Sequence, residues 1–419
     1  MTHPTMLKVN GARLWTSLMD LARIGPTPKG GSCRLALTDL DTQGRDLVTG
    51  WMKEAGLDIR TDQIGNIIGR RAGQNPGLKP VAMGSHIDTQ PTGGRFDGCY
   101  GVMAGLEVMR ILNDHGVRTQ APLELMIWTN EEGARFAPAM MGSGVFCGAI
   151  PLQSALETVD RDGKTVGDEL ARSGYAGSLP VPGVLPDSYF EAHIEQGPVL
   201  EDERKVIGVV SGSLALRWYE ITVTGNEAHA GPTPMHLRQD ALFAATHLMQ
   251  AVVRIARAHA PEGRGTVGIV DVRPGSPNVI PGTVRFTVDL RHEDPARLDD
   301  MDAQLKLACR QLSETVGYAV QASLKETWDF PATPFDAHCV GLVRDQAEAR
   351  GYSHRDIVTG AGHDAVYMAT VVPTAMVFVP CRDGISHNEA EYAEPEHLEA
   401  GANVLLGAVL ARASACGLP

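Results

Sequence analysis

No stretch of the chain reaches the roughly 18 consecutive apolar residues that a membrane-spanning helix requires. The first residues, Met1 to Trp15, also lack the charged-then-apolar pattern of a signal peptide. No membrane partner is expected, and the cytoplasm is the expected location. Basic charge is not in excess: 37 Lys and Arg stand against 50 Asp and Glu, a formal charge of -13. Sequence-independent nucleic-acid binding needs a basic surface to neutralise phosphates, so no nucleic-acid partner is expected. The seven cysteines, at 33, 99, 147, 309, 339, 381 and 416, form no C-x-x-C pair. Neither a thiolate zinc site nor a disulfide framework is indicated, and a reducing compartment fits. Neither H-E-x-x-H nor G-x-S-x-G occurs, which removes the commonest metalloprotease and serine-hydrolase patterns. No repeat of solenoid period and no low-complexity linker is present.

What is present is an ordinary globular composition, 43% hydrophobic and 21% charged, spread over 419 residues. That length favours more than one core, and two domains are expected. Val81-Ala82-Met83 reads as a short buried strand that breaks at Gly84 into a polar loop carrying His86, Asp88 and Thr89. A glycine-rich turn follows, then Val102, Leu106, Met109 and Leu112 at helical spacing, then an alternating strand through Leu123, Leu125 and Ile127. This order predicts a layered α/β domain, in which polar residues beyond the strand ends hold ligands.

Between Leu216 and Trp328 the pattern changes to strand (216–224), helix (238–259), two strands (266–272 and 282–290), helix (295–315) and strand (318–327). That β-α-β-β-α-β order is a ferredoxin-like unit, compact enough to be inserted in another domain. Pro295 after Asp294 marks the start of its second helix. Afterwards the α/β character returns, with a helix near 336–350, another after His363 and the apolar strand Ala375 to Val379. The expected division is 1–212 and 329–419 for the α/β domain and 213–328 for the insertion.

His86, Asp97, Glu131, Glu132, His193 and His387 each fall beside an expected strand end, in segments dense in glycine and polar groups. Imidazole nitrogens and carboxylate oxygens are the donors that first-row divalent metals take. A carboxylate bridging two ions about 3.5–4 Å apart is a common design for hydrolysis, and Asp97 is suited to that bridge. Singly, each residue has a plainer reading. The chain has 14 histidines, Asp97 is also placed to cap the following helix, and Glu131-Glu132 reads equally as a solvated strand end.

Taken together and in order, the segments Gly84-Ser-His86-Ile-Asp88-Thr89, Gly94-Arg-Phe-Asp97-Gly-Cys-Tyr-Gly101 and Trp128-Thr-Asn-Glu131-Glu132-Gly133 resemble the metal-binding core of the aminoacylase and carboxypeptidase-type di-zinc amidohydrolases. Further on, His193-Ile-Glu195-Gln196-Gly197, Ala228-His229-Ala-Gly-Pro232, Pro277-Asn278, Gly360-Ala-Gly-His363-Asp364 and Ser386-His387-Asn388-Glu389 are similar to the hydantoinase/carbamoylase branch. That branch includes N-carbamoyl-L-amino-acid hydrolases, allantoate amidohydrolases and β-ureidopropionases. The resemblance runs from about Arg13 to the C-terminus. It implies a layered di-metal exopeptidase-like catalytic domain with an inserted ferredoxin-like dimerisation or lid domain.

Carried over by position, the resemblance makes His86 and His193 ligands of one metal, Glu132 and His387 ligands of the other, and Asp97 the bridge. Peptidase branches place a carboxylate where His193 stands. Asp88 becomes the outer carboxylate that orients His86. Glu131 becomes the general base, its side chain diverging from that of Glu132 on an extended strand. Gln196, His229, Asn278, Arg291 and Gly360 become substrate contacts. Arg291, which pattern alone places on a polar strand face, holds a substrate carboxylate with its guanidinium fork. His229, otherwise a turn histidine, stabilises an oxyanion from the second subunit of a homodimer. Two divalent ions are implied, zinc foremost, with manganese, cobalt and nickel also compatible with such donors.

The expected activity is hydrolysis of the ureido C–N bond of an N-carbamoyl-amino acid or allantoate-like carboxylate. An aminoacylase or dipeptidase on the same fold is the alternative. A non-catalytic binding relative conflicts with the presence of every ligand position and the base. His193-Ile194-Glu195 also matches half of the base-deaminase signature, but Pro380-Cys381 is followed by Gly384 where a second cysteine is required, which excludes that class.

Overall fold

The computed structural model describes residues 7–415. The chain divides into two compact units, one formed by the segments on either side of 213–333 and the other by 213–333 itself. The second boundary falls five residues later than the expected 328, because the last strand of the insertion runs through Gln321–Phe330.

The first unit is built on a nine-stranded sheet. Its centre is four parallel strands, in the spatial order Leu123–Trp128, Val81–His86, Ser188–Ile194 and Thr374–Val379. Every residue of these four is buried, as a parallel sheet covered on both faces requires. The strand through Leu123, Leu125 and Ile127 is therefore not half-exposed. Met126 and Trp128 fill its second face, and the carboxylate of Glu124 is neutralised by Arg70 at 2.7 Å. The helix Cys99–Asp114 is buried almost all round, since the strand Val81–His86 lies on one side and the helices Gly11–Leu21 and Pro395–Ala415 on the other. Among the described residues no helix is long and apolar enough to cross a membrane.

The parallel strands deliver their carboxyl ends to one edge of the sheet, where ligands collect in such folds. Gly84 was expected to break the first of them. Instead the strand continues through Gly84 and Ser85 to His86. Glycine is needed because the neighbouring strand approaches so closely that a Cβ there would stand 2.0 Å from the carbonyl oxygen of Met126. The same close packing brings His86 level with Trp128 in register.

The 213–333 unit is a four-stranded antiparallel sheet in the order Gln321–Phe330, Ala215–Thr224, Thr283–His292, Arg264–Arg273. The helices Ala241–Ala258 and Pro295–Arg310 pack on it, which is the ferredoxin-like arrangement. Alternation explains its core: Val284, Phe286, Val288 and Leu290 are buried, as are Ala241, Leu248, Val252 and Ile255 on the first helix. Two helix ends differ from expectation. Asp240 caps the first helix by accepting the N–H groups of Leu242 and Phe243, and the second breaks at Gln311 into a short turn of helix, Leu312–Val316.

Substituting Gly84→Ala drives a methyl group into the Met126 carbonyl and is expected to lower stability by at least about 1–3 kcal/mol. Chemical denaturation measures this, and an unchanged midpoint would mean that the two strands are not in such close contact.

Candidate functional site

Asp97 sits in the loop between the strand Val81–His86 and the helix Cys99–Asp114, 5% exposed. Its Oδ1 faces His193 Nε2 at 3.2 Å and His86 Nε2 at 3.6 Å. Its Oδ2 faces His387 Nε2 at 3.3 Å, and the same nitrogen lies 3.2 Å from Glu132 Oε2. Two donor groups thus meet on one carboxylate: His86, Asp97 and His193, all buried, and Asp97, Glu132 and His387.

These separations fit divalent cations. Four donors about 2.1 Å from a tetrahedral zinc stand roughly 3.4 Å apart, which is the spacing of the facing atoms here. The ring orientations agree. His86 Nδ1 lies 2.9 Å from the Asp88 carbonyl oxygen and His193 Nδ1 lies 2.9 Å from that of Ile194. In the neutral ring Nδ1 therefore carries the proton and Nε2 the lone pair that a metal needs.

The expected role of Asp88 is corrected in one respect. Its main-chain carbonyl, not its carboxylate, orients His86; the carboxylate is 3.7 Å from the ring. That carboxylate instead accepts the N–H groups of Glu131 and Glu132, each at 3.2 Å. The two glutamates are not on an extended strand either. The strand ends at Trp128, Asn130 takes a left-handed φ of 54°, and its amide donates to the Phe136 carbonyl. The turn, held by Asp88, is what separates the two side chains. Glu132 is fixed by Gln90, whose Nε2 donates to Oε2 at 2.8 Å. Glu131 Oε2 lies 3.4 Å from His86 Nε2.

Burial and charge set the proton affinities. Desolvation raises Glu131 well above the usual carboxylate range; His86 opposes this, and Asp364, Glu132 and Asp88 add to it. Burial also disfavours the charge on Asp97, yet hydrogen bonding to His193, His387 and His86 holds it well below its ordinary value. Without a cation, Asp97 and Glu132 push His387 up to about 11. His86 is raised well above the ordinary imidazole value: burial opposes the rise and Glu131 and Asp97 outweigh it. His193 is raised by Asp97, again against burial.

Gln196 belongs to the same cluster. Its Nε2 donates to Asp97 Oδ2 at 2.8 Å, while its buried Oε1 has no protein partner. Gly360 lies at an exposed bend just after the strand His354–Thr359. The remaining expected residues belong to the 213–333 unit. His229 and Asn278 come together there, because His229 pairs with Val279 in a two-stranded ribbon and Ala230 N–H donates to the Asn278 carbonyl. Arg291 lies on the polar face of its strand with its fork engaged by Asp289, Nη2 donating at 2.6 Å and Nε at 3.0 Å. Sequence reasoning missed Gln90 and Glu391. The latter, 4% exposed, accepts the N–H groups of Phe96 and Asp97. Its one sequence signal is its position four residues beyond His387.

Residues 82–411 match the family model of peptidase family M20/M25/M40. The chain belongs to this family. Within it, the M20-family chain is 48% identical to the N-carbamoyl-L-amino-acid amidohydrolase of Rhizobium meliloti over 96% of either protein. It is 34% identical to the ureidoglycolate hydrolase of Arabidopsis thaliana, over 95% of this chain and 86% of that one. A solved amidase of the hydantoinase/carbamoylase family from Burkholderia multivorans superimposes with a TM-score of 0.91 at 58% identity, covering 98% of this chain and 99% of the other. The branch named from the motifs is thus the branch of its relatives, and the M20-family chain is a hydrolase of C–N amide bonds.

Because the neighbouring carboxylates raise the proton affinity of His86, His193 and His387, protons compete with a cation for these nitrogens, and affinity for added zinc is expected to rise with pH from about 6 to 9, with protons released on binding. Calorimetry in buffers of different ionisation enthalpy measures both. A pH-independent affinity without proton release would mean that the imidazoles are already neutral in the metal-free protein.

Proposed function

We propose that the chain hydrolyses the ureido C–N bond of an N-carbamoyl-amino acid or an allantoate-like carboxylate, with two divalent cations at the Asp97 cluster and Glu131 as general base. The observation that carries this reading is the sharing of one buried carboxylate between two donor groups, with a second buried carboxylate, Glu131, 3.4 Å from one of the imidazoles. The names of its relatives support the ureido class of substrate. His86 and His193 would hold one ion, Glu132 and His387 the other, and Asp97 both. Zinc suits these donors, and manganese, cobalt or nickel are compatible with them. Such ions supply Lewis-acid polarisation of a carbonyl and acidify water.

Glu131 supplies the proton transfers. Buried beside the cluster, with Oε2 3.4 Å from His86 Nε2, it is placed to take a proton from the attacking water as the C–O bond forms. It then returns that proton to the leaving nitrogen as the C–N bond breaks. Its main-chain N–H, bonded to Asp88, fixes where the carboxylate starts. Gln196 Oε1, buried and unpartnered, is an acceptor suited to a substrate N–H.

The 213–333 unit supplies recognition in this reading. Arg291 binds the substrate carboxylate, which joins or replaces Asp289 at the fork. His229 Nδ1 accepts the Gly231 N–H at 3.0 Å, leaving Nε2–H outward as a donor for a developing oxyanion. Asn278 beside it offers a further polar contact, and Gly360 a main-chain one. The unit also serves as a dimerising lid. In support, Met235, Leu237 and Phe243 are exposed, and the edge strand Arg264–Arg273 presents Ile269 and Val270 to solvent, a surface that association would cover.

The test is a substrate panel with the zinc-loaded protein. N-carbamoyl-amino acids or allantoate are expected to turn over faster than N-acyl-amino acids and dipeptides. Glu131→Gln is expected to keep its metal and lose about 10²–10⁴ in kcat. Preference for N-acyl substrates would overturn the substrate class; wild-type turnover by Glu131→Gln would overturn the base.

A further inference from the structure

A single buried carboxylate ties together the two loops that meet at Asp97. Glu391 Oε1 accepts the N–H groups of Phe96 at 2.9 Å and Asp97 at 3.1 Å. Its Oε2 lies 2.9 Å from Ser386 Oγ, which lies 2.8 Å from Asp97 Oδ2. The side chain therefore grips the Asp97 loop through its backbone, and through Ser386 it also touches the oxygen of Asp97 that faces His387. Its own N–H donates to the Asn388 carbonyl at 3.0 Å, closing the turn that follows His387, itself at a left-handed φ of 53°. Room for this grip is made by Gly94. A Cβ on Gly94 would stand 2.0 Å from the Glu391 carboxyl carbon.

The other ligands do not hang on this carboxylate. His86 and His193 end parallel strands and are oriented by main-chain carbonyls. Glu132 is held by Asp88 and Gln90. His387 is half-exposed and belongs to the loop that Glu391 anchors.

The geometry points to Glu391 as a positioning residue for the second donor group: it sets the spacing between the Asp97 loop and the His387 loop, so that an ion held by Asp97, Glu132 and His387 depends on it far more than one held by His86, Asp97 and His193. This rests on the two-ion reading above. Outer partners of metal ligands act in this way by restricting where the ligands can go.

Cobalt(II) titrated into the metal-free full-length protein tests it, with equilibrium dialysis counting ions and visible d–d absorption reporting their surroundings. The wild type is expected to bind two. Glu391→Ala is expected to bind one with nearly the wild-type affinity and the other about 10- to 100-fold more weakly. Glu391→Gln is expected to rescue the second ion, because its carbonyl still accepts both N–H groups and its amide donates to Ser386, leaving the hydroxyl proton for Asp97. Gly94→Ala, which displaces the carboxylate without altering it, is expected to reproduce the Glu391→Ala pattern and decides the matter if Glu391→Ala does not fold. Wild-type affinity for both ions in Glu391→Ala, or equal weakening of both, would overturn the inference. A wild type that binds one ion would overturn the two-ion reading itself and this inference with it.

Discussion

Three imidazoles converge on the carboxylate of Asp97, and the surrounding structure is arranged to make that meeting tolerable. A carboxylate that is 5% exposed loses most of its hydration, and such a charge persists only when paired or bound to a cation. Here the compensation comes from His193, His387 and His86, each from a different segment of the chain. The nitrogens that face Asp97 are the ones that cations would take. The same arrangement therefore stabilises the metal-free protein and sets up competition between protons and metal.

The parallel sheet solves the placement problem. Neighbouring strands bring His86, His193 and the Glu131-Glu132 turn to one edge, and Thr374–Val379 leads the chain towards His387. Strand ends alone do not fix side chains, so a set of local anchors completes the work. Asp88 holds the N–H groups of both glutamates, Gln90 holds Glu132, and Glu391 holds the Asp97 loop. Glycine appears where this crowding leaves no space for a side chain. At Gly98, with φ of 62°, a Cβ would stand 2.3 Å from the His86 ring.

Much of this could be read from the residues alone, and the failures have physical causes. The β-α-β-β-α-β order of the insertion was legible because Val284, Phe286, Val288 and Leu290 alternate and Asp294-Pro295 marks a helix start. The residues at the Asp97 cluster were legible as a set only through their motifs, since no periodicity links His86 to His387. Gly84 was misread because a glycine inside a strand looks like a break, and close approach of a neighbouring strand is visible only in three dimensions. Spacing places Asp88 beside His86, but that its carbonyl meets the ring while its carboxylate accepts the N–H groups of Glu131 and Glu132 is visible only in three dimensions. Glu391 was missed because its partners, Phe96 and Asp97, lie nearly 300 residues away.

Everything proposed for the site depends on Asp97 being shared between two cations. Anomalous diffraction from zinc-loaded crystals, recorded on either side of the zinc absorption edge, tests that directly. Two peaks are expected about 3.5–4 Å apart, one contacting each oxygen of Asp97, with His86 and His193 on one side and Glu132 and His387 on the other. A single peak at full loading, or two peaks of which only one touches Asp97, would contradict it.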